Sequence, residues 1–376
     1  MGKLISRIAD FFRESDKLMI SICFFAALYG CLAVYSSTRY LESLRPPLVH
    51  MLCAFAGIVA AAVISLFDYN TFIKRWYLAA VVGVVPVILT FFIGIAPENT
   101  DDKAWLDLGF TTFQPSEFLK ICFIVTFSAH LSAVKPNVNK LKYLIPVCLH
   151  GAAPVLLILY QGDAGTALVF AIMVLVMMWA AGVSWKYFLL AFVSAVAASP
   201  LVYLFVMNDD HRSRIMSLFD GVMDIQGADY QQYRGLVALA NGGLTGQGLL
   251  KGSLTQMGGV PEGQNDFIFV SIGEELGFLG CIAVVILLAA ICLRCIRVAR
   301  ICSKDSGKLI CVGFFGMVFA QSFINIGMCV SILPVIGVTL PFFSAGGTSL
   351  LCLFLGVGLV LSVYMHRNSR TIYLHD

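Results

Sequence analysis

Ten apolar stretches recur along the chain, centred near Phe25, Val59, Val85, Ile124, Leu156, Leu175, Val196, Val285, Val318 and Gly356. Each runs to about 20 residues, the length that carries an α-helix across the ~30 Å hydrocarbon core of a bilayer. In hydrocarbon a helix also satisfies its own backbone donors and acceptors, which an isolated extended segment cannot do. The expected fold class is therefore an all-α integral membrane protein with ten transmembrane helices. Composition agrees: 59% of residues are hydrophobic, 12% are charged and the mean hydropathy is +0.88, where a soluble domain carries about a quarter charged residues.

A polar interval of about 207–265 separates the seventh apolar stretch from the eighth, and every other connection is much shorter. It is too polar to span and too long for a turn, so a structured or re-entrant loop on one face is expected. The chain then reads as a single polytopic domain over 1–376. Basic residues collect in cytoplasmic loops. With the N-terminus inside, 17 of the 25 Lys and Arg fall on the inner face, Lys3, Lys74, Lys135, Arg294 and Arg367 among them. Both termini are expected in the cytoplasm, with the long loop outside. The first apolar run is full length and lacks a small-residue cleavage site, so no signal peptide is expected.

Several functions are disfavoured. The net charge of +3 reflects the inner-face bias, and no basic run suggests nucleic acid. None of the 12 cysteines lies between Met207 and Asn265, so no disulfide framework is implied for the external loop. Cys292 and Cys295 form a C-x-x-C without a second pair. The six histidines show no H-E-x-x-H spacing, and G-x-x-x-x-G-K-[ST] is absent, so no nucleotide cofactor is expected.

Chemistry must then reside in polar groups near the membrane, where ionisable side chains are costly and commonly functional. In "WLDLGFTTFQPSEFLK", residues 105–120, Pro115 suits a first helical turn and Glu117 and Lys120 form an i,i+3 pair. The pair fits either a packing ion pair or a cation, Lys120, that contacts an anionic substrate group and is positioned by Glu117. Trp105 fits an interfacial anchor as well as a cover for a sugar or lipid headgroup. Asp163, in "QGDAGTA", suits a helix N-cap. In the long loop Arg212, Arg214, Arg234 and Lys251 lie where topology does not favour cations, consistent with an anionic lipid phosphate or with ordinary solvation. In "VPEGQNDFIFVSIGEELG", residues 260–277, Asp266 stands where a spanning helix begins, with Glu274 and Glu275 two turns further on. A carboxylate at a helix N-terminus is held as the anion by the dipole and free amides, so Asp266 is expected to be ionised.

Five of these stretches carry a resemblance. "WLDLGFTTFQPSEFLK", "QGDAGTALV", "ANGGLTGQGLLKGS", "VPEGQNDFIFVSIGEELGFLG" and "NIGMCVSILPVIGVTLPFFSAGGTSLL" occur in the order, and around the loop, seen in the SEDS proteins of shape, elongation, division and sporulation, typified by RodA and FtsW. The chain resembles that family over nearly its whole length. The resemblance implies a multi-pass protein of the bacterial plasma membrane that polymerises lipid II beside a class B penicillin-binding protein and other elongation or division proteins. It places catalysis on Asp266, with Trp105, Glu117, Lys120, Asp163, Arg212, Arg214 and Ser344 as candidate substrate contacts. The reaction would invert an α-linked donor to a β-1,4 bond, with one base and no carboxylate nucleophile. Lys120, loop arginines, or Mg²⁺ or Mn²⁺ would neutralise the departing undecaprenyl diphosphate.

The chain departs from the family pattern at Gln264 and Asn265, where many members have His-Thr, and at Ala345, where an aromatic residue is common. Short termini and "NIGM…LPV" lean towards RodA, whereas "TLPF" is closer to FtsW or its sporulation relatives. Two other functions fit the same features: a lipid II flippase, and a non-catalytic scaffold for the penicillin-binding protein. A proton-coupled transporter would want its acids nearer mid-bilayer.

Overall fold

Each of the ten apolar centres falls inside a helix of the computed structural model, which describes residues 11, 13–96, 103–107, 109, 112–205, 212, 216 and 229–367. The long helices are α1 (Lys17–Ser37), α2 (Arg45–Ser65), α4 (Trp76–Ile93), α5 (Pro115–Val134), α6 (Leu141–Tyr160), α7 (Ala164–Ala181), α8 (Trp185–Phe205), α11 (Ile268–Ile301), α12 (Asp305–Cys329) and α13 (Gly347–Met365). A short α3 (Tyr69–Lys74) precedes α4, and α9 (Tyr230–Gly242) and α10 (Ser253–Gln256) lie between α8 and α11. Nine of the long helices are long and apolar enough to cross a membrane. The exception is α8, whose described apolar part, Trp185–Leu201, is shorter than the others. Among the described residues there are thus nine candidate spans where ten were expected.

Helix starts follow local chemistry. Asp16 caps α1 by accepting from Met19 N at 3.1 Å, and Asp163 caps α7 by accepting from Thr166 N at 2.8 Å. Each satisfies an amide that lacks an intrahelical partner. Pro115 opens α5, where its missing N–H costs nothing.

Burial sorts the helices into a centre and a periphery. In α5, α12 and α13 about two thirds or more of the span is buried, 67%, 67% and 72%, whereas α4 buries 17%. The first three form the middle, and the others turn one face outward. Close approach there depends on small residues: a Cβ on Gly358 of α13 would lie 2.9 Å from the Ala61 Cα of α2.

The helix α11 is broken. Gly277 has φ 67° and ψ −164°, which separates a buried half-helix of 268–276 from the long apolar remainder. A break frees backbone groups that hydrocarbon cannot satisfy. Here the loop after α9 replaces them reciprocally: Gln247 N and Gly248 N donate to the Glu274 and Glu275 carbonyls at 3.0 and 2.9 Å, while Phe278 N and Leu279 N donate to the Gly243 and Leu244 carbonyls at 2.9 and 3.2 Å. This approach leaves no room for a side chain, since a Cβ on Gly277 would stand 2.4 Å from Gly246 N. The described part of the long loop is therefore packed helix and turn. At the opposite end of the bundle, Arg294 pairs with Asp16 at 2.5 Å and Lys135 with Asp305 at 2.6 Å.

Candidate active site

Four separate segments bring their polar side chains to one end of the bundle. The first two turns of α5 supply Glu117 and Lys120, joined at 2.6 Å and buried. A buried ion pair of this kind is retained only when each charge keeps its partner. The start of α7 supplies Asp163. Its second carboxylate oxygen accepts from Gln114 Nε2 at 3.0 Å, which ties α7 to the residue before α5. Burial raises the Asp163 carboxyl above its ordinary range, against the downward pull of its bonds from Thr166 and of the Lys120 charge.

The third segment is the run of turns at residues 261–267, which carries Asp266. The fourth is the return loop at 330–346, which lies across it. A Cβ added to Gly337 would stand 3.7 Å from Asp266 Oδ2, and a Cβ on Gly165, two residues after Asp163, would collide with the Ile336 carbonyl at 2.2 Å. Asp163 and Asp266 therefore face the same stretch of the return loop, close enough to feel each other's charge.

Asp266 departs from the sequence expectation in one respect. The half-helix begins at Ile268, and among the described residues no amide donates to the Asp266 carboxylate. The stabilisation expected from a helix N-terminus is thus missing. Enclosure of the carboxyl, with smaller contributions from Glu262 and Asp163, pushes its pKa up to about 7. Each unit of such a shift corresponds to about 1.4 kcal/mol against the charged form. The residue as a whole keeps partial exposure.

Other predicted residues take different places. The Ser344 hydroxyl is committed to backbone, accepting from Leu340 N and donating to the Asn265 carbonyl, both at 2.7 Å. Trp105 sits at half burial, its backbone paired with Ile95 beside the hairpin of β1 (Leu106–Asp107) and β2 (Thr112–Phe113). Arg212 donates to the Tyr203 and Leu204 carbonyls at the end of α8, each at 2.9 Å. Arg214 lies outside the described residues. Among the described residues no group of three or more His, Cys, Asp or Glu is arranged to hold a metal ion.

Sequence reasoning overlooked Asn325. Its amide donates to the carbonyls of Asp266 and Val338, both at 2.7 Å. The signal available was an amide at the head of "NIGM", one turn after Gln321 in a mainly apolar helix.

Glu274 and Glu275 pair with polar groups of neighbouring segments. Glu274 accepts from Leu254 N, Thr255 N and the hydroxyls of Ser253 and Thr255 at 2.7–3.2 Å, capping α10 from outside. Glu275 accepts from the Ser36 hydroxyl at 2.5 Å and from Gln256 Nε2 at 2.7 Å.

Comparison with known proteins decides the family. The model of the FtsW/RodA/SpoVE cell cycle proteins matches residues 16–369. The chain belongs to the FtsW/RodA/SpoVE family. The peptidoglycan glycosyltransferase MrdB of Escherichia coli strain K12 is 30% identical over 356 residues, 94% of each chain. Stage V sporulation protein E of Bacillus subtilis strain 168 is 30% identical over 355 residues, 93% of this chain and 96% of its own. Among solved structures of the family's fold, a chain from a peptidoglycan synthase complex, studied for its coordination of polymerisation and crosslinking, superposes with TM-score 0.80 at 24% identity. It covers 95% of this chain and 99% of its own. The rod shape determining protein RodA of Thermus thermophilus gives 0.70 at 24% identity, over 95% and 98%. This member of the FtsW/RodA/SpoVE family is thus a multi-pass membrane protein whose matched motifs converge at one end of the bundle.

Proposed function

We propose that this chain is a peptidoglycan glycosyltransferase that polymerises lipid II into glycan strands, with Asp266 as the general base. The observation that carries the assignment is Asp266 itself: a carboxyl with its pKa near 7, within range of Asp163, which in turn feels the buried Glu117–Lys120 pair, in a chain of a family whose named relatives include peptidoglycan glycosyltransferases.

In the reaction, Asp266 takes the proton of the acceptor 4-hydroxyl as that oxygen attacks the donor's anomeric carbon. The bond from that carbon to the diphosphate oxygen breaks, undecaprenyl diphosphate leaves with the electron pair, and the α-linked donor becomes a β-1,4 link. One displacement inverts the centre, so a second carboxylate nucleophile is not required. A base pKa near the working pH favours this role, because the group is partly ionised yet basic enough to accept a proton. Lys120 supports neutralisation of the diphosphate through the local field. Any Mg²⁺ or Mn²⁺ would enter with the diphosphate oxygens, and chelation of the assay tests for it. Asp163, Trp105 and, from the long loop, Arg212 and Arg214 are the proposed substrate contacts.

Lys and Arg placement supports a topology with both termini in the cytoplasm and the site end of the bundle outside, in a bacterial plasma membrane. A class B penicillin-binding protein is the proposed partner, since a structural relative works within a synthase complex that also crosslinks. The "NIGM…LPV" stretch leans towards the elongation side of the family, whereas "TLPF" leans towards FtsW and its sporulation relatives.

The deciding experiment incubates the purified protein, with a crosslinking-blocked penicillin-binding protein, with labelled lipid II and separates products on a gel. Glycan ladders are expected from wild type, and a loss of about 10²–10⁴-fold from Asp266→Asn, the usual contribution of a general base. Equal ladders from both proteins would remove Asp266 from the mechanism. No ladder from folded, partner-bound wild type would favour the flippase or scaffold reading.

A further inference from the structure

With no hydrogen bond from a described residue on its carboxylate, Asp266 has its side-chain position set through its backbone. That backbone is held mainly by Asn325, which is fully buried on α12. Asn325 Nδ2 donates to the Asp266 carbonyl and to the Val338 carbonyl, both at 2.7 Å. An amide nitrogen has two hydrogens, so this pair of bonds uses its whole donor capacity. The two acceptors lie on different walls of the site. Asp266 belongs to the turns at 261–267, whereas Val338 follows Gly337, the residue of the return loop that faces the Asp266 carboxylate. One amide group therefore fixes the distance between the carboxylate and the loop opposite. Supporting contacts are weaker or one to two residues removed: Cys329 Sγ reaches the Asp266 carbonyl at 3.5 Å, and Ser344 and Ala345 hold the carbonyls of Asn265 and Gln264.

We propose that Asn325 is a positioning residue for glycosyl transfer, acting through Asp266 by clamping the turn that carries it to the return loop. The inference rests on the reading of Asp266 as the base. Its size follows from geometry: misplacing a reacting group by about 1 Å costs on the order of 10²-fold in rate. The clamp does not touch substrate, so the effect belongs in turnover and not in binding.

The test measures kcat, KM and direct binding of labelled lipid II for full-length Asn325→Ala, Asn325→Asp and Asp266→Asn, each in complex with the crosslinking-blocked partner. The Asp variant is decisive, because it keeps the shape of Asn while even a neutral carboxyl has one O–H where the amide has two N–H, so it cannot hold both carbonyls. A fall in kcat of about 10²-fold for both Asn325 variants is expected, with KM and lipid II binding within about twofold of wild type and melting transitions retained. Wild-type turnover in Asn325→Asp, or a parallel loss of lipid II binding or of fold in both Asn325 variants, would overturn the positioning role. If those outcomes accompany an inactive Asp266→Asn, only this inference fails. Wild-type turnover in Asp266→Asn overturns the base reading and this inference with it.

Discussion

A carboxyl that gives up solvation without gaining an amide donor or a cation becomes a weaker acid, and Asp266 is placed to do so. Its pKa of about 7 makes a direct prediction. The protonated form cannot act as a base, so turnover should rise as pH increases through about 7 and level off above it, read as the rate of glycan formation across pH. A profile flat from pH 5 to 8 would contradict it. Lys120 poses the opposite problem, a buried cation whose partner in the site is Glu117. Removing the partner alone, in Glu117→Gln, should destabilise the protein by about 3–5 kcal/mol, whereas removing both charges, in Glu117→Gln with Lys120→Met, should recover much of that loss in thermal unfolding. At this scale the sequence was informative about which residues matter and less about their state. Asp163 takes the cap its motif suggested. Asp266 lacks the expected amides because the helix begins two residues later, a matter of local backbone that residue type does not fix.

At the scale of elements, the broken helix organises the site. The half-helix at 268–276 continues directly from the turns that hold Asp266, and the loop at 243–256 holds it in place. Gly277→Ala should lower the melting temperature, because the left-handed φ alone costs about 1–3 kcal/mol and the added methyl meets Gly246 N. Glu274 makes a separate prediction. It is fully buried and, among the described residues, accepts from two amides and two hydroxyls without a basic partner. Glu274→Gln presents an N–H to donors and should cost about 1–3 kcal/mol in unfolding free energy. A melting temperature equal to wild type would show that α10 does not depend on this cap. Helix existence was readable from apolar length; the break was not. The apolar run in α11 continues past Gly277, and only the loop's backbone, arriving from 30 residues earlier, shows why a glycine is needed there.

For the whole molecule, the expectation is a bundle whose polar site lies at the face opposite the termini. Cysteines introduced singly at exposed positions in a background without native exposed thiols should separate into two classes towards a membrane-impermeant maleimide in intact cells. Glu262 and Leu244 positions should label, and Arg75 and Lys140 positions should not; the reverse pattern would invert the topology. The sequence by itself determined the class of fold, the order of the spans and the segments that carry chemistry, because bilayer thickness dictates helix length and hydrocarbon tolerates few ionisable groups. Tertiary structure decided what those segments become together. It set the distance between Asp163, Asp266 and the return loop, turned Ser344 and Asn325 towards backbone carbonyls, and raised the Asp266 pKa. These are consequences of contacts between residues tens to hundreds apart in the chain, where solvation and hydrogen-bond supply depend on which segments meet.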